Sequence, residues 1–134
     1  NLLSWETVLP HIGETFSPTY LEINLSNLKH NYNHIRSFLN PETKFLAVVK
    51  ANGYGNGFKE VSKSLSESGV DYFGVAYVKE GVELRNQGIK KPILVFHPQL
   101  ENLQELINYN LEPSIYSLNF FNNFLSILMN KKIT

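Results

Sequence analysis

The sequence predicts an α/β fold in which a parallel sheet is covered by helices. Strand-like and helix-like segments alternate five times from residue 19 onward, a pattern typical of βαβ units. The chain has 134 residues, about the length of one domain. Two architectures fit: an open doubly wound sheet, complete at five strands, or the first five or so units of a (β/α)8 TIM-type barrel, incomplete in this chain, because a closed barrel needs eight strands and typically ~250 residues.

The first unit is predicted in "TYLEINL" and the residues after it. Leu21, Ile23 and Leu25 alternate with polar neighbours, which indicates a strand. Ser26 can cap the following helix, and Asn40-Pro41 can end it. The apolar residues of that helix recur at helical spacing: Leu28, Tyr32, Ile35 and Leu39.

Four further units repeat this cycle. "KFLAVVK" is a continuous apolar run, expected for a strand covered on both faces, and its helix ends at Gly69. "YFGVAY" is the third strand, and its short helix ends at Gly88. "PILVFH" and the weaker "LEPSIYS" are the fourth and fifth strands, each followed by a helix. We expect the apolar stripe of the closing helix to be core, or core left exposed in an incomplete barrel: Leu118, Phe121, Phe124, Leu125 and Leu128.

Residues 1–18 show no clean period and end at Ser17-Pro18, so we predict a leader or inter-domain linker there. Residues 19–134 would then form the partial barrel domain. Trp5 is expected to pack on a neighbouring domain. Because the chain begins with Asn rather than Met, we expect it to be a piece of something longer.

Composition excludes several classes of partner. Twelve basic and twelve acidic residues give a net charge of zero, which offers no electrostatic case for nucleic acid or an anionic membrane. No segment approaches the roughly 18 apolar residues of a membrane span. The absence of cysteine excludes disulfides and thiolate chemistry and fits a reducing compartment. We therefore expect a cytoplasmic protein with neither nucleic acid nor a membrane as its partner.

The stretch "FLAVVKANGYGNG" places Lys50 at the end of a predicted strand, before a glycine-rich loop. The carboxyl ends of parallel strands form the active edge in both architectures. The protonated form of an amine at the mouth of an apolar site is poorly hydrated, which favours the neutral form. The neutral amine is a nucleophile and can form a Schiff base with an aldehyde. Pyridoxal phosphate carries such an aldehyde and a phosphate, and the small residues of "ANGYGNG" would allow close backbone approach to that phosphate.

These residues resemble the pyridoxal-phosphate signature of alanine racemases. In "VVKANGYGNG", a lysine, an asparagine, a tyrosine and two glycines all fall at the family spacing. "GVDYFGVAYVKEGVELRNQGIKKPILVF" is similar to the family's next two β-α units, and "TYLEINLSNLKHNYNHIR" to its opening strand and helix. The resemblance covers roughly residues 19–117 and favours the incomplete barrel.

The resemblance implies a role for each of three residues. Lys50 matches the lysine that carries the cofactor and serves as the base on one face of the substrate α-carbon. Tyr54 matches the tyrosine that touches the cofactor phosphate, and Val48 a position that lines the cofactor ring. Asn56 departs from the histidine or leucine of many members, which puts one outer contact in doubt. The implied reaction is interconversion of L- and D-alanine for peptidoglycan synthesis.

The resemblance also implies parts that this chain does not contain. The family's second base is a tyrosine from the C-terminal β-domain of a partner subunit, so a homodimer is expected. We therefore expect the 134 residues alone to be inactive. "EINL" and "LEPSIYS" are similar to the racemase half of bacterial fusions with a peptidoglycan-precursor ligase. Residues 1–18 would then connect the two domains.

Two other functions stay open. One is a non-catalytic pyridoxal-phosphate carrier, a single-domain barrel that also holds the cofactor on a lysine after its second strand. The loop of such carriers does not usually read Asn-Gly-Tyr-Gly, which favours the racemase. The other is an oligomerisation or scaffold module in which Lys50 is merely solvated.

The remaining polar residues receive structural interpretations. His30 and His34 lie four apart on a helix but have no evident third ligand, so no metal is expected. His97 ends the fourth strand and is interpreted as a loop histidine. Glu80 and Glu83 are expected in the first turns of a helix, where acids complement the dipole. Arg85 is expected to pair with an acid on the surface, with no catalytic role.

Overall fold

In the computed structural model, which describes residues 21–130, four parallel strands form one sheet in the order β1-β2-β3-β4. Each strand pairs in parallel with the next one along the chain, which is the topology of consecutive β-α-β units. The strands are short: β1 is Leu46–Val48, β2 is Tyr72–Val75, β3 is Ile93–Val95 and β4 is Glu112–Pro113.

Five α-helices accompany these strands: α1 is Leu25–Ser37, α2 is Phe58–Ser68, α3 is Val78–Asn86, α4 is Leu103–Asn108 and α5 is Leu118–Asn130. A 3-10 turn, Leu100–Asn102, leads into α4. The cap of α1 is Asn24, whose side chain accepts a hydrogen bond from the Asn27 N–H, rather than the predicted Ser26. Gly69 ends α2 in the left-handed conformation, as predicted.

The core lies between one face of the sheet and the helices. Phe73 and Val75 of β2, with Ile93 and Val95 of β3, are fully buried on that face. Helices α1 and α2 pack together, and Tyr32 of α1 is buried with its ring edge-on to that of Phe45. The burial of these apolar residues stabilises the packing of the helices on the sheet by about 25 cal/mol per Å² of apolar surface.

The opposite face of the sheet is open among the described residues. Val48 pairs in register with Gly74, and Gly74 with Leu94, so these residues share one face. Leu46 and Val48 on this face remain 36% and 37% exposed. The prediction that this strand is covered on both faces is therefore wrong for residues 21–130. A continuous apolar run shows that both faces of the strand are apolar. It does not show that other elements of the same chain cover both faces.

The first predicted strand is also wrong within the described part of the chain. Residues 21–24 have no regular structure, and α1 begins at Leu25. Ile23 and Leu25 still pack against the core, while Leu21 is exposed. The alternation therefore indicated correctly that Ile23 and Leu25 pack on the core. It did not show whether a neighbouring strand pairs with this segment. The predictions for residues 1–18, including Trp5, lie outside the described residues.

Helix α5 packs on the core through a face that shares Phe124 with the predicted stripe. Phe120 is its buried residue, at 1% exposed, and Phe124 and Ile127 lie beside it against the core. Leu118 and Phe121 are 80% and 43% exposed. Of the two predictions for this stripe, core or core left exposed in an incomplete barrel, these two residues show the exposed one. Between residues 21 and 130, no helix combines the length and apolar character needed to cross a membrane.

Candidate functional site

The carboxyl edge of the sheet brings together three of the sequence-predicted residues. Lys50 follows the end of β1 by two residues rather than closing the strand, and its side chain is half-buried. Val48 lies at the last position of β1, on the open face of the sheet. Tyr54 lies four residues after Lys50 and is 62% exposed. The Lys50 Nζ atom lies 6.0 Å from the centroid of the Tyr54 ring, so the amine and the phenol share one side of the loop.

The backbone after Lys50 is a left-handed turn. The segment Lys50–Tyr54 has helical hydrogen bonding, but Ala51, Asn52, Gly53 and Tyr54 have φ angles of 53°, 56°, 63° and 57°. Left-handed angles cost about 1–2 kcal/mol for each residue that carries a Cβ, so three such residues store roughly 3–6 kcal/mol. Strain of this kind persists only where surrounding contacts enforce it, and it is concentrated at functional sites.

Hydrogen bonds within the loop enforce the left-handed turn. The Gly53 N–H donates to the Val49 carbonyl at 3.0 Å, and the Gly55 N–H donates to the Ala51 carbonyl at 3.1 Å. The Asn52 side chain accepts a hydrogen bond from the Phe58 N–H at 3.0 Å, which ties the turn to the start of α2. The asparagine of the signature is therefore a structural residue of the loop.

The glycines serve the shape of the loop. Gly55 and Gly57 have φ angles of 83° and 84°, which favour glycine. The N–H groups of Gly53, Gly55 and Asn56 already donate to carbonyls within the loop. These three N–H groups are therefore not free to bind a phosphate, and the expectation that the small residues of the loop allow close backbone approach to one stays a prediction. Asn56, where the sequence departs from the family pattern, also donates its side-chain N–H to the Gly53 carbonyl at 3.0 Å.

Glu80 joins the lysine loop to the next strand. Its Oε1 atom accepts a hydrogen bond from the Ala51 N–H at 2.7 Å. Its Oε2 atom accepts from the N–H groups of Ala76 and Tyr77, at 2.7 and 3.1 Å. Sequence reasoning placed Glu80 correctly in the first turn of α3 but missed its contact with Ala51, 29 residues away. An acidic residue at the third position of a helix indicates that its side chain caps the helix, and it does not indicate a contact with a distant loop.

Arg85 is a structural residue, but not in the predicted way. Its guanidinium donates to four backbone carbonyls, those of Ile89, Lys91, Tyr109 and Asn110, at 2.7–2.9 Å. Burial lowers the pKa of the Arg85 guanidinium, and the negative charge of Glu112 opposes that shift. The prediction of a surface pair with an acid is therefore wrong, because these carbonyls take up the donors.

The three histidines between residues 21 and 130 lie in two separate places. His97 follows β3 at the carboxyl edge, where its ring is 6.2 Å from that of Tyr77. His30 and His34 stack at 6.3 Å on the exposed side of α1. Among residues 21–130, no group of three or more His, Asp or Glu side chains is arranged to hold a metal ion.

Comparison with known proteins identifies relatives of this arrangement. The family described as "Alanine racemase, N-terminal domain" matches residues 23–133. Alanine racemase 1 of Caldanaerobacter subterraneus is 38% identical over 104 residues, which cover 77% of this chain and 27% of that protein. Alanine racemase of Methanococcus maripaludis is 41% identical over 111 residues, or 82% of this chain and 30% of that protein.

A solved structure shares the fold. Alanine racemase of Clostridium difficile 630 superposes with a TM-score of 0.83 at 37% identity, over 89% of this chain and 32% of that one. The same protein has also been solved in complex with cycloserine. The chain thus spans about three tenths of the length of these relatives. The open four-stranded sheet is the N-terminal part of an incomplete (β/α)8 barrel, not a complete doubly wound sheet, and the chain belongs to the alanine racemase N-terminal domain family.

Proposed function

We propose that this chain supplies the cofactor-bearing N-terminal part of an alanine racemase, which interconverts L- and D-alanine with pyridoxal 5'-phosphate. The observation that carries the proposal is the position of Lys50. Its amine is half-buried at the carboxyl edge of a parallel sheet, at the start of a strained turn that also carries Tyr54. The relatives that share this segment are racemases by name, and that supports the reaction.

Three residues would hold the cofactor. Lys50 would bind it covalently through Nζ, and the Tyr54 hydroxyl, which is exposed, would donate to its phosphate. Val48 would line the ring from the open apolar face of the sheet. These residues fit the group, because they offer an amine, a phenol and an apolar surface on one side of the loop. Since three loop N–H groups are already engaged, the phosphate would depend on Tyr54 more than on the loop backbone.

The chemistry divides between the cofactor and the chain. When bound, pyridoxal phosphate supplies an electron sink that makes the α-proton of an amino acid removable. Lys50 Nζ would then remove or return that proton on one face of the α-carbon, acting as base or acid in turn. A reversal of configuration needs a second acid-base group on the opposite face, and we place that group in the part of the racemase beyond this chain.

The activity therefore belongs to a larger assembly. Because the chain covers about three tenths of its relatives, we expect the 134 residues alone to leave alanine unchanged. A homodimer, a cytoplasmic location, a role in peptidoglycan synthesis and a fusion with a ligase domain are parts of the same proposal. Residues 1–18 as linker and 19–134 as barrel domain also belong to it.

A chimera tests the proposal. Residues 23–130 of this chain would replace the matching segment of the Clostridium difficile racemase, with which the fold superposes at a TM-score of 0.83. We expect the chimera to racemise alanine and to be inhibited by cycloserine, as binding of that compound to the parent suggests. Lys50→Ala should lower turnover by about 10²–10⁴-fold or more, because it removes an acid-base group. Lys90→Ala, at an exposed lysine, is the matched control.

The opposite result is equally clear. A chimera that folds and takes up pyridoxal phosphate on Lys50 without turnover would contradict the racemase and favour the carrier. A chimera that racemises alanine equally well with alanine at position 50 would show that the site is wrongly assigned.

A further inference from the structure

We propose that Glu80 is a positioning residue that aims Lys50, beyond its service as the cap of α3. The proposal rests on the proposed function, since it concerns the amine to which that function assigns the cofactor. Glu80 would not touch the substrate or the cofactor. It would act through the backbone of Ala51, the residue that directly follows Lys50.

The carboxylate connects two places that the chain separates widely. Its Oε1 atom holds the Ala51 N–H at 2.7 Å, at the first residue of the left-handed turn. Its Oε2 atom holds the N–H groups of Ala76 and Tyr77, where β2 passes into α3. A hydrogen bond to a charged carboxylate is roughly twice as strong as one between neutral groups. Glu80 thus fastens the lysine loop to the neighbouring strand end.

The hydrogen bond acts on the peptide that sets the direction of the lysine. The N–H of Ala51 belongs to the peptide unit between residues 50 and 51, and the orientation of that unit fixes where the Lys50 side chain leaves the backbone. Ala51 adopts φ 53°, an angle that alanine does not hold without an enforcing contact. Among residues 21–130, the Lys50 amine itself makes no hydrogen bond. Apart from its position over the Tyr54 ring, the placement of that amine therefore depends on its backbone.

The two carboxylate oxygens separate the two roles of Glu80. Oε2 alone serves the start of α3, and Oε1 alone serves the lysine loop. Aspartate at this position keeps the charge but is one methylene shorter, so it can cap the helix without reaching Ala51. Glutamine keeps the length but has one acceptor oxygen, so it can satisfy one side only. Glu83, three residues further on in α3 and exposed, is the matched control.

The experiment uses the 134-residue chain and its variants Glu80→Asp, Glu80→Gln, Glu80→Ala and Glu83→Gln. The first measurement is hydrogen exchange of the Ala51 amide, compared with the amides of α3. The second is trapping by borohydride in the presence of pyridoxal 5'-phosphate. Mass spectrometry then gives the adduct at Lys50 relative to that at Lys79, an exposed lysine of α3. This ratio separates an effect on the orientation of Lys50 from a general change in the reactivity of lysines.

We expect Glu80→Asp to speed exchange of the Ala51 amide and to lower the adduct ratio, each by about tenfold, the effect of losing one charge-assisted hydrogen bond. The exchange rates of the α3 amides should change less than about twofold. A residue that only stabilises the fold would instead change exchange at Ala51 and in α3 together. Glu83→Gln should match the unaltered chain in both measurements. If Glu80→Ala does not fold, the aspartate and glutamine variants decide the outcome.

Two results would overturn the proposal. One is an adduct ratio and an Ala51 exchange rate that stay within about twofold of the unaltered chain in Glu80→Asp. The other is loss of protection at all amides together, which would make Glu80 a general stability residue. If the unaltered chain forms no adduct at Lys50, the proposed function fails, while the exchange measurement still decides whether Glu80 holds the loop.

Discussion

Ala51, Asn52 and Tyr54 hold left-handed backbone angles that residues with a Cβ seldom adopt, and they do so directly after Lys50. The sequence signature predicts that the lysine and the tyrosine are site residues. It did not reveal the handedness of the turn, because Ala51 and Tyr54 have no preference for positive φ. The contact with Glu80 was equally hidden, since nothing local to either residue selects a partner 29 positions away.

Gly55 provides a clean test of the turn. Its φ is 83°, and a Cβ built there would meet nothing within 4 Å. We expect Gly55→Ala to lower the free energy of unfolding by about 1 kcal/mol, because the cost is conformational and not steric. Urea denaturation of the chain measures this change.

The matched variant in the same turn is Ala51→Gly, which relieves a left-handed alanine at φ 53° and should leave stability unchanged or raised. Equal losses in both variants would mean that the turn is not left-handed in solution.

At the scale of elements, Arg85 joins the end of α3 to the loop before β3 and to the end of α4. It does so through the carbonyls of Ile89, Lys91, Tyr109 and Asn110. Carbonyls at helix ends lack partners within the helix, so a single fixed guanidinium satisfies several of them at once. The spacing of the sequence gave no sign of this arrangement, because carbonyls are present at every residue.

Arg85→Met should therefore destabilise the chain by roughly 2–4 kcal/mol, since it leaves several partly buried carbonyls without a charged donor. Arg85→Lys should recover only a part, because an ammonium cannot reach four carbonyls in a fork. The loss should be the same from pH 5 to 9, as arginine stays charged throughout that range even though burial lowers the pKa of Arg85.

Thermal or urea unfolding at three pH values gives the measurement, with Lys90→Met as the exposed control. A loss below about 0.5 kcal/mol would show that water replaces the guanidinium without cost.

Element positions followed from the sequence where a local signal existed. The strands at 46–48, 72–75 and 93–95 lie within the apolar runs, and the helix ended by Gly69 has the predicted end. The segment at 21–25 failed because strand pairing depends on a neighbouring backbone, which alternation does not encode. For α5 the sequence left core and exposed core open, because several registers of an apolar helix look alike; packing on the core selected Phe120 and left Leu118 and Phe121 exposed.

At the scale of the whole molecule, an apolar sheet face and part of α5 are exposed together. Leu46 and Val48 lie on the open face, and an apolar hollow of about 260 Å³ lies between the end of β4 and α5. Its walls include Ile115, Phe121 and Leu125. The rest of the barrel would cover such a face in a complete racemase, and the barrel itself was predictable from family resemblance but not from periodicity.

We expect the isolated chain to self-associate through the open face, because contiguous apolar patches of several hundred Å² mark interaction surfaces. Sedimentation velocity over a range of concentrations should show species larger than 15.4 kDa. Replacing Leu46 and Leu94 by lysine should shift the chain toward the monomer.

The control is the same added charge at two exposed polar positions, Asn33→Lys with Gln104→Lys, which should leave association in place. Monomeric behaviour of the unaltered chain at all concentrations would contradict the exposed face.

We propose above all that the amine of Lys50 captures pyridoxal 5'-phosphate. The most direct test is to incubate the protein with that cofactor, reduce with borohydride, digest and locate the adduct by mass spectrometry. We predict that the adduct is concentrated on Lys50 over the exposed Lys79 and Lys90, and that Lys50→Ala abolishes it. Equal labelling of all these lysines, or an alanine variant that labels as well as the parent, would contradict the account.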